Sequence, residues 1–508
     1  MALALTLSRA NLGIDAPLVS VETHLSNGLP AFTIVGLPEA AVRESRDRVR
    51  SAIINSHFDF PSKRITVNLA PADLPKQGSR FDLAIALGIL AASDQLSKEM
   101  LSQYEFIGEL SLSGELRYAT GLIPALIAAD SERISMVPAA NREEASLPLK
   151  NKTIIANHIL EVCAHLNNNK PLTLTTKDKP KHINANALDM SDVAGQPQAK
   201  RALEIAAAGG HNLIFIGPPG TGKTMLALRL ISISPPLNDA SAIEVAAINS
   251  LAGKENTIAQ WRQRPFRNPH HTASAVAMVG GGSHPKPGEI SLAHKGVLFL
   301  DELPEFDRKV LEVLREPIES GRITISRATQ QVEYPAQFQL VAAMNPCPCG
   351  FFGDTRQNCS CSPAQIQRYR SKLSGPLLDR IDLHVSVTRL PVNMMTQKTT
   401  VNEPSDAIRA RVLKTQHQQA KSRGKINARL SARELIDDGW IKEDAIEWLS
   451  MAIEKLGLSA RAFHRLLRIG RTIADLEYID TAYEKSQTQV QIHHLKEALA
   501  YRQLDKKI

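Results

Sequence analysis

The sequence is poor in cysteine, modest in aromatics and without a long apolar run, and these shortages exclude things. Five cysteines in 508 residues do not make the disulfide scaffold on which small secreted domains depend. No run of eighteen apolar residues occurs, so no membrane span is expected. The opening Met1-Ala-Leu-Ala-Leu-Thr-Leu-Ser-Arg9 has no basic segment ahead of its apolar residues. It therefore reads as a first strand and not as a signal peptide. The default location is the cytoplasm. Charge of one sign is also lacking: 60 basic and 52 acidic residues leave a net +8, spread along the chain. That balance suits an acidic partner such as nucleic acid, and a mildly basic enzyme equally well. What is present is ordinary core material, 43% hydrophobic, in a length that suits about three domains.

One stretch organises the chain, Gly217-Pro-Pro-Gly-Thr-Gly-Lys-Thr224. It follows the apolar run Leu213–Ile216, which reads as a buried strand, and precedes Met225–Leu230, which reads as a helix. Strand, glycine-rich turn and helix with Gly-x-x-x-x-Gly-Lys-Thr between them form a P-loop. The loop Gly217, Pro218, Pro219, Gly220, Thr221 and Gly222 would turn its backbone N–H groups around a polyphosphate, and the new helix points its positive end the same way. Lys223 reaches the β- and γ-phosphates, and Thr224 offers its hydroxyl to Mg²⁺. A nucleoside triphosphate is the expected ligand.

A second apolar strand, Gly296–Leu300, ends in Asp301 and Glu302. Asp301 would hold the Mg²⁺ shell and Glu302 would polarise the attacking water. Phe338–Ala343 reads as a third buried strand ending near Asn345, placed to sense the γ-phosphate or hold the water. Cys347, Cys349, Cys359 and Cys361 follow within fifteen residues. Four thiolates can close a tetrahedral zinc site, although the C-x-C pairs depart from the usual C-x₂-C spacing. The alternative is a pair of reduced or redox-labile loops. Cys163 stands in an apolar helix and reads as core.

Residues 1–170 mix strands such as Leu18–Thr23 and Lys63–Leu69 with an apolar helix, Phe81–Leu90, and a hairpin turning at Ser113-Gly114. Residues 171–190 have linker composition. The nucleotide-binding core is expected over 191–390. Within it, Arg264–Ser274 and Gly280–Gly288 are rich in Gly, Pro and His, so exposed loops are expected. His270 and His271 are either metal ligands or part of a pore-facing or partner-facing insertion. Asp307–Ser320 reads as one helix. Arg322–Arg327 and Gln331–Tyr334 read as a β-hairpin with Arg327 near its tip. Arg322 and Arg327 give this hairpin charged, solvated edges. Residues 391–508 read as helical, with candidates at Ala407–Ala420, Lys442–Leu456, Arg461–Leu476 and Val490–Leu504.

The ordered set of P-loop, Asp301-Glu302 strand, inserted hairpin, Asn345, Arg380 and Arg461 resembles an AAA+ ATPase. The branch it resembles carries helix-2 and pre-sensor-1 insertions, as magnesium-chelatase motors and MCM helicases do. Pro75-Lys-Gln-Gly78, Gly108–Leu116 and Gly121-Leu-Ile-Pro124 resemble the Lon-protease-like domain. At the positions of that domain's catalytic serine and lysine stand Arg80 and Ile123, with Ser79 adjacent. The segment is therefore read as non-proteolytic, used for ring assembly or DNA contact. Arg264–His271 and Asn345–Gly350 bring the whole chain close to the YifB/ComM family of magnesium-chelatase-like ATPases.

The resemblance implies an α/β chain. It has a P-loop AAA+ parallel-sheet core with a helical lid, preceded by an α+β Lon-protease-like domain of the ribosomal S5 type. It further implies a homo-hexameric, Mg²⁺-ATP-driven DNA translocase that promotes branch migration in natural transformation. In such a ring Arg380 would reach a neighbour's γ-phosphate, Arg461, with Arg465 as fallback, would face its own subunit's nucleotide from the lid, and Arg322 and Arg327 would contact the DNA backbone. A magnesium-chelatase motor and an ATP-dependent Lon-like protease are the alternatives.

Overall fold

The computed structural model describes residues 3–37, 40–177, 188–254, 256–282, 285–326, 331–354, 356–390, 402–479 and 488–502. Arg327 and much of the linker expected over 171–190 lie outside them.

The chain opens on β1 (Leu3–Arg9), β2 (Leu18–Ser26), β3 (Ala31–Val35) and β4 (Arg64–Ala70), which form one sheet in the order β1-β2-β4-β3. The helix Asp82–Ala92 packs on it with all eleven residues buried. Its residues are apolar nearly all round, as a helix inside a core must be. β5 (Tyr104–Phe106), β8 (Ile134–Pro138) and β9 (Lys152–Ala156) make a second, parallel sheet. Between β5 and β8, β6 (Glu109–Leu110) and β7 (Leu116–Arg117) form the expected hairpin. Gly114 in its turn takes φ +96°, a region open to glycine. Mixed pairing and segregated helices make this an α+β unit.

The second unit is a five-stranded sheet in the order β11-β14-β17-β10-β18, parallel throughout. The strands are β10 (Leu213–Ile216), β11 (Phe266–Arg267), β14 (Val297–Leu300), β17 (Gln339–Met344) and β18 (Leu383–Ser386). Alternate residues feed two different cores. Leu213, Phe215, Val297, Phe299, Val341 and Ala343 pack towards the helix Pro197–Gly209 and the lid. Ile214, Ile216, Leu298, Leu300, Leu340 and Ala342 pack towards Leu303–Leu314 on the other face. Burial on both faces explains why these strands read as continuous apolar runs.

Two expectations need correction. Asp307–Ser320 is not one helix but two, Arg308–Val313 and Arg315–Ser320. Pro317 is the reason: it has no N–H for the Val313 carbonyl, and its ring crowds that carbonyl. The stretch 264–288 is also less open than its composition suggests. It includes β11, the short helix Ala275–Val279 and a two-residue ladder of β12 (Gly280–Gly281) with β13 (Lys286–Pro287). Arg264 is half-buried, donating to the carbonyls of Pro235 at 2.7 Å and Lys295 at 2.9 Å. Burial draws its pKa down to about 10.

The lid comprises the helices Ser405–Arg423, Ala432–Asp437, Glu443–Leu456, Ala460–Glu477 and Ile492–Ala500. At its centre Asp475 accepts from Arg423 at 2.5 Å, Arg471 at 2.8 Å and Asn427 at 2.7 Å. Both guanidinium groups also lie over the Trp440 ring. Asp475→Ala leaves two buried cations short of a counter-charge, so we expect the lid to lose about 3–5 kcal/mol of stability. Urea unfolding followed by tryptophan fluorescence checks this, since Trp440 and Trp448 both lie in the lid.

Candidate functional site

The site forms where three adjacent parallel strands release their C-terminal ends on the same edge of the sheet. β10 runs into Gly217, β14 into Asp301, and β17 into Asn345. Crevices at such strand ends are where open α/β sheets bind ligands. Gly220 and Gly222 take φ +76° and +84°, which lets the loop wrap with its N–H groups inward. Gly217 has no room for a side chain, because the Val387 carbonyl occupies that space. Gly222 leads directly into the helix Lys223–Ile233, whose positive end faces the loop.

The side chains named from the sequence meet here. Lys223 Nζ donates to the carbonyls of Gly217 at 2.8 Å and Pro218 at 3.0 Å, and to Asn345 Oδ1 at 3.1 Å. Desolvation lowers its pKa, opposed by the charges of Asp301 and Glu302. Thr224 Oγ1 donates to Asp301 Oδ2 at 2.7 Å. Glu302 sits at φ +52°, a costly conformation for a residue with a Cβ. Its N–H is held by Asp301 Oδ1 at 2.9 Å. A cavity of about 430 Å³ is lined by Pro219–Thr224, Asp301, Glu302, Met344 and Asn345, a size that suits a nucleotide's phosphates. A second cavity of about 460 Å³, by Leu147, Trp261 and Phe266, has no phosphate-binding loop.

The donor set fits ATP with Mg²⁺. The backbone cradle and Lys223 suit phosphate oxygens, while the hydroxyl of Thr224 and the carboxylate of Asp301 suit a hard cation. When bound, Mg²⁺ would neutralise charge on the transferring phosphoryl group. Glu302 is exposed at the strand end, and Asn345 reaches the same pocket through its contact with Lys223.

One residue here was not assigned a part in this site from the sequence. His271 Nδ1 lies 3.3 Å from Glu302 Oε2. The rings of His270 and His271 lie together, 4.1 Å between centroids. No periodic signal could reveal that, because the segment is neither strand nor helix.

Other candidates stand elsewhere. Asp382 receives the Asn212 N–H at 3.0 Å, at the start of β10 and so at the opposite edge of the sheet. Arg465 pairs with this Asp382 at 2.9 Å. Arg461 lies 3.7 Å from Asp379 on the same side. The lid therefore does not bring Arg461 to its own chain's P-loop. Arg380 is 8% exposed. It pairs with Glu319 at 2.7 Å and donates to the Pro376 carbonyl at 2.7 Å. Arg322, on β15 (Arg322–Ser326), pairs across the hairpin with Glu333 on β16 (Gln331–Pro335) at 2.7 Å. The four sulfurs of Cys347, Cys349, Cys359 and Cys361 converge, all within 4.8 Å of one another. Cys163 is buried, and desolvation pushes its thiol up to about 12.

In the N-terminal unit Ser79 donates to Glu109. Arg80 is buried and donates to the carbonyls of Thr120 at 2.6 Å and Gly121 at 3.0 Å. Ile123 is buried, packed in one cluster with Ala246 and Ala247 of the nucleotide-binding unit. Arg80 is thus a guanidinium clamp and Ile123 a packing contact.

The phosphate and cation side of the site has a direct test. Asp301→Asn keeps shape and removes the charge that a divalent cation needs. We expect ATP turnover to fall about 100-fold, roughly 2.7 kcal/mol, with the Mg²⁺ requirement shifted to higher concentration. A magnesium titration of turnover checks both.

Comparison with known proteins agrees with this geometry. Family profiles match residues 189–395 as magnesium chelatase subunit ChlI, 21–141 as subunit ChlI of magnesium chelatase, and 402–502 as its C-terminal part. The chain is 52% identical to competence protein ComM of Haemophilus influenzae, over 99% of this chain and 98% of that one. It is 49% identical to YifB of Escherichia coli, over 100% and 98%. A more distant match, 25% over 34% of each chain, is to Lon protease 2 of Bacillus subtilis. With its parallel P-loop core, helical lid and α+β front unit, the chain belongs to the YifB/ComM family of magnesium-chelatase-like AAA+ ATPases.

Proposed function

We propose that the chain hydrolyses Mg²⁺-ATP as a homo-hexamer to translocate on DNA, promoting branch migration of recombination intermediates during natural transformation. The observation that carries the reading is the complete phosphate site of Lys223, Thr224, Asp301, Glu302 and Asn345, in a chain about half identical end to end to a competence protein. In this reading the site is completed by a neighbouring copy. Arg380 and Arg461 stand at the far edge of the sheet from their own P-loop, where a second subunit's nucleotide could meet them and where they would stabilise developing charge. Arg380 would exchange Glu319 for that phosphate. Arg322 is exposed on the inserted hairpin, and with Arg327 it would contact the DNA backbone, a contact that weakens steeply with salt. ATP and Mg²⁺ are the cofactors, with zinc in the four-cysteine loop. The division of the chain is 1–170, 171–190, 191–390 and 391–508, all in the cytoplasm.

The profile names favour a second reading, a motor that drives metal insertion into a porphyrin. That motor would respond to partner subunits and porphyrin, not to DNA.

Two experiments decide. ATP turnover is measured without DNA and with single strands, duplex and a three- or four-way junction. We expect junction DNA to stimulate it, and junction displacement to vanish in Lys223→Ala and Glu302→Gln. Junction DNA that neither binds nor changes turnover defeats the translocase reading. In the second, chains carrying Arg380→Ala and chains carrying Lys223→Ala are mixed. Each alone is expected to be nearly inert, and the mixture to regain part of the activity. A fully active monomer would remove the need for a ring.

A further inference from the structure

The loop Cys347–Cys361 holds few buried side chains among its described residues, so it has no apolar core to set its shape. Its four sulfurs converge nonetheless. Cys347 and Cys349 are 3.4 Å apart, Cys349 and Cys359 3.6 Å, Cys347 and Cys359 3.7 Å. A tetrahedron of zinc–sulfur bonds of about 2.3 Å has edges of about 3.8 Å, close to these separations. Backbone N–H groups point at the sulfurs: Phe352 at Cys347, Cys349 at Cys361, and Cys361 at Cys359. Donors aimed at sulfur suit thiolates, the form that binds metal.

The described residues contain one other three-ligand cluster, Glu477 with His493 and His494, and it does not share this chemistry. The Gln491 N–H points at His494 Nδ1 at 2.9 Å. That leaves the proton on Nε2, which then donates to Glu477 at 3.0 Å and is not a free lone pair for a metal.

The cysteine loop is built into the wall of the nucleotide pocket. Only Pro346 separates Cys347 from Asn345, which holds Lys223. Gly350, inside the loop at φ +87°, lies against the P-loop so closely that a Cβ there would come within 2.6 Å of Pro219 Cδ. Beyond Cys361, Arg370 Nε returns to the Pro346 carbonyl at 3.2 Å. Asp354 pairs with Arg389 at 3.2 Å, two residues past the Val387 carbonyl that abuts Gly217. The loop thus touches the pocket from Asn345, from Pro219 and from the strand beyond the P-loop.

We propose that zinc held by Cys347, Cys349, Cys359 and Cys361 is the rigid backing of the ATP pocket, so that metal occupancy of this loop sets nucleotide affinity. The inference rests on the ATP reading above and adds a cause for it. Without the ion the loop has no fixed shape, and Asn345 and Pro219 lose their support. A pocket that is competent a tenth of the time weakens apparent affinity about tenfold.

The test measures zinc content by plasma mass spectrometry and the affinity of a fluorescent ATP analogue, on the full chain, reduced. The parent should carry about one zinc. Cys359→Ser should lose the metal and bind the analogue about tenfold more weakly. Gly350→Ala should keep the metal and also bind more weakly, because its Cβ presses on Pro219. Should Cys359→Ser fail to fold, the parent is stripped with a zinc-selective chelator. Affinity should then fall, and return on adding zinc back. Roughly less than half an equivalent of zinc in the parent, or undiminished affinity in metal-free protein, overturns the proposal. A zinc-loaded parent that binds no ATP analogue at all defeats the nucleotide reading instead.

Discussion

The register between β10, β17 and β14 is the constraint on which the structure depends. Ile216 lies opposite Met344, and Leu300 opposite Ala342. Continued by one residue, this register sets Gly217 level with Asn345 and Asp301 level with Ala343, so the three strand ends open on one edge of the sheet. A slip of two residues in one strand would move its end by about 6.6 Å and break the 3.1 Å contact of Lys223 with Asn345. A slip of one would turn each buried side chain to the other face. The register is held because both faces are packed, by the lid side and by the Leu303–Leu314 side. Core packing and site geometry are thus the same fact, seen at the middle and at the end of the strands.

The N-terminal unit is joined to the nucleotide-binding unit close to Arg80 and Ile123. Gly121 N–H donates to the Ser250 carbonyl at 3.0 Å, and Asn256 donates to Glu144 at 3.2 Å. Arg80 fastens the segment that carries Thr120 and Gly121. A buried guanidinium must have its hydrogen bonds met, and the carbonyls at the turn before Ile123 meet them. A lysine in place of Ile123 would have to bury its charge among Leu122, Ala246 and Ala247.

Charge is arranged in two places separated by the length of a strand. The carboxylates of Asp301 and Glu302 and the ammonium of Lys223 lie at one edge of the parallel sheet. Arg461 and Arg465 lie near Asp379 and Asp382 at the other. Asp382 is buried and still held far below the usual carboxylate range, against desolvation, by His211 and Arg465. A single copy keeps these two sets apart, which is why the proposed reaction places them in different subunits.

How much of this was legible without coordinates follows from the range of the forces involved. The phosphate loop, its strand and its helix were legible because glycine spacing and apolar runs are local, and a backbone that must wrap an anion has few alternatives. The acidic strand end, Asn345 and the cysteine cluster were legible for the same reason. The break at Pro317 was equally local and was missed because periodicity outweighed one residue. Contacts between segments distant in the chain were not legible: His271 against Glu302, Gly350 against Pro219, Arg380 against Glu319. Sequence alone determined which residues the glycine-rich loop and the neighbouring strand ends present to one pocket, since their types and spacing are set by backbone geometry within a few residues. Only the tertiary structure decided that Arg380, Arg461 and Arg465 lie away from that pocket in their own chain, because that depends on which edge of the sheet each connection reaches, and packing sets this over separations that no local pattern encodes.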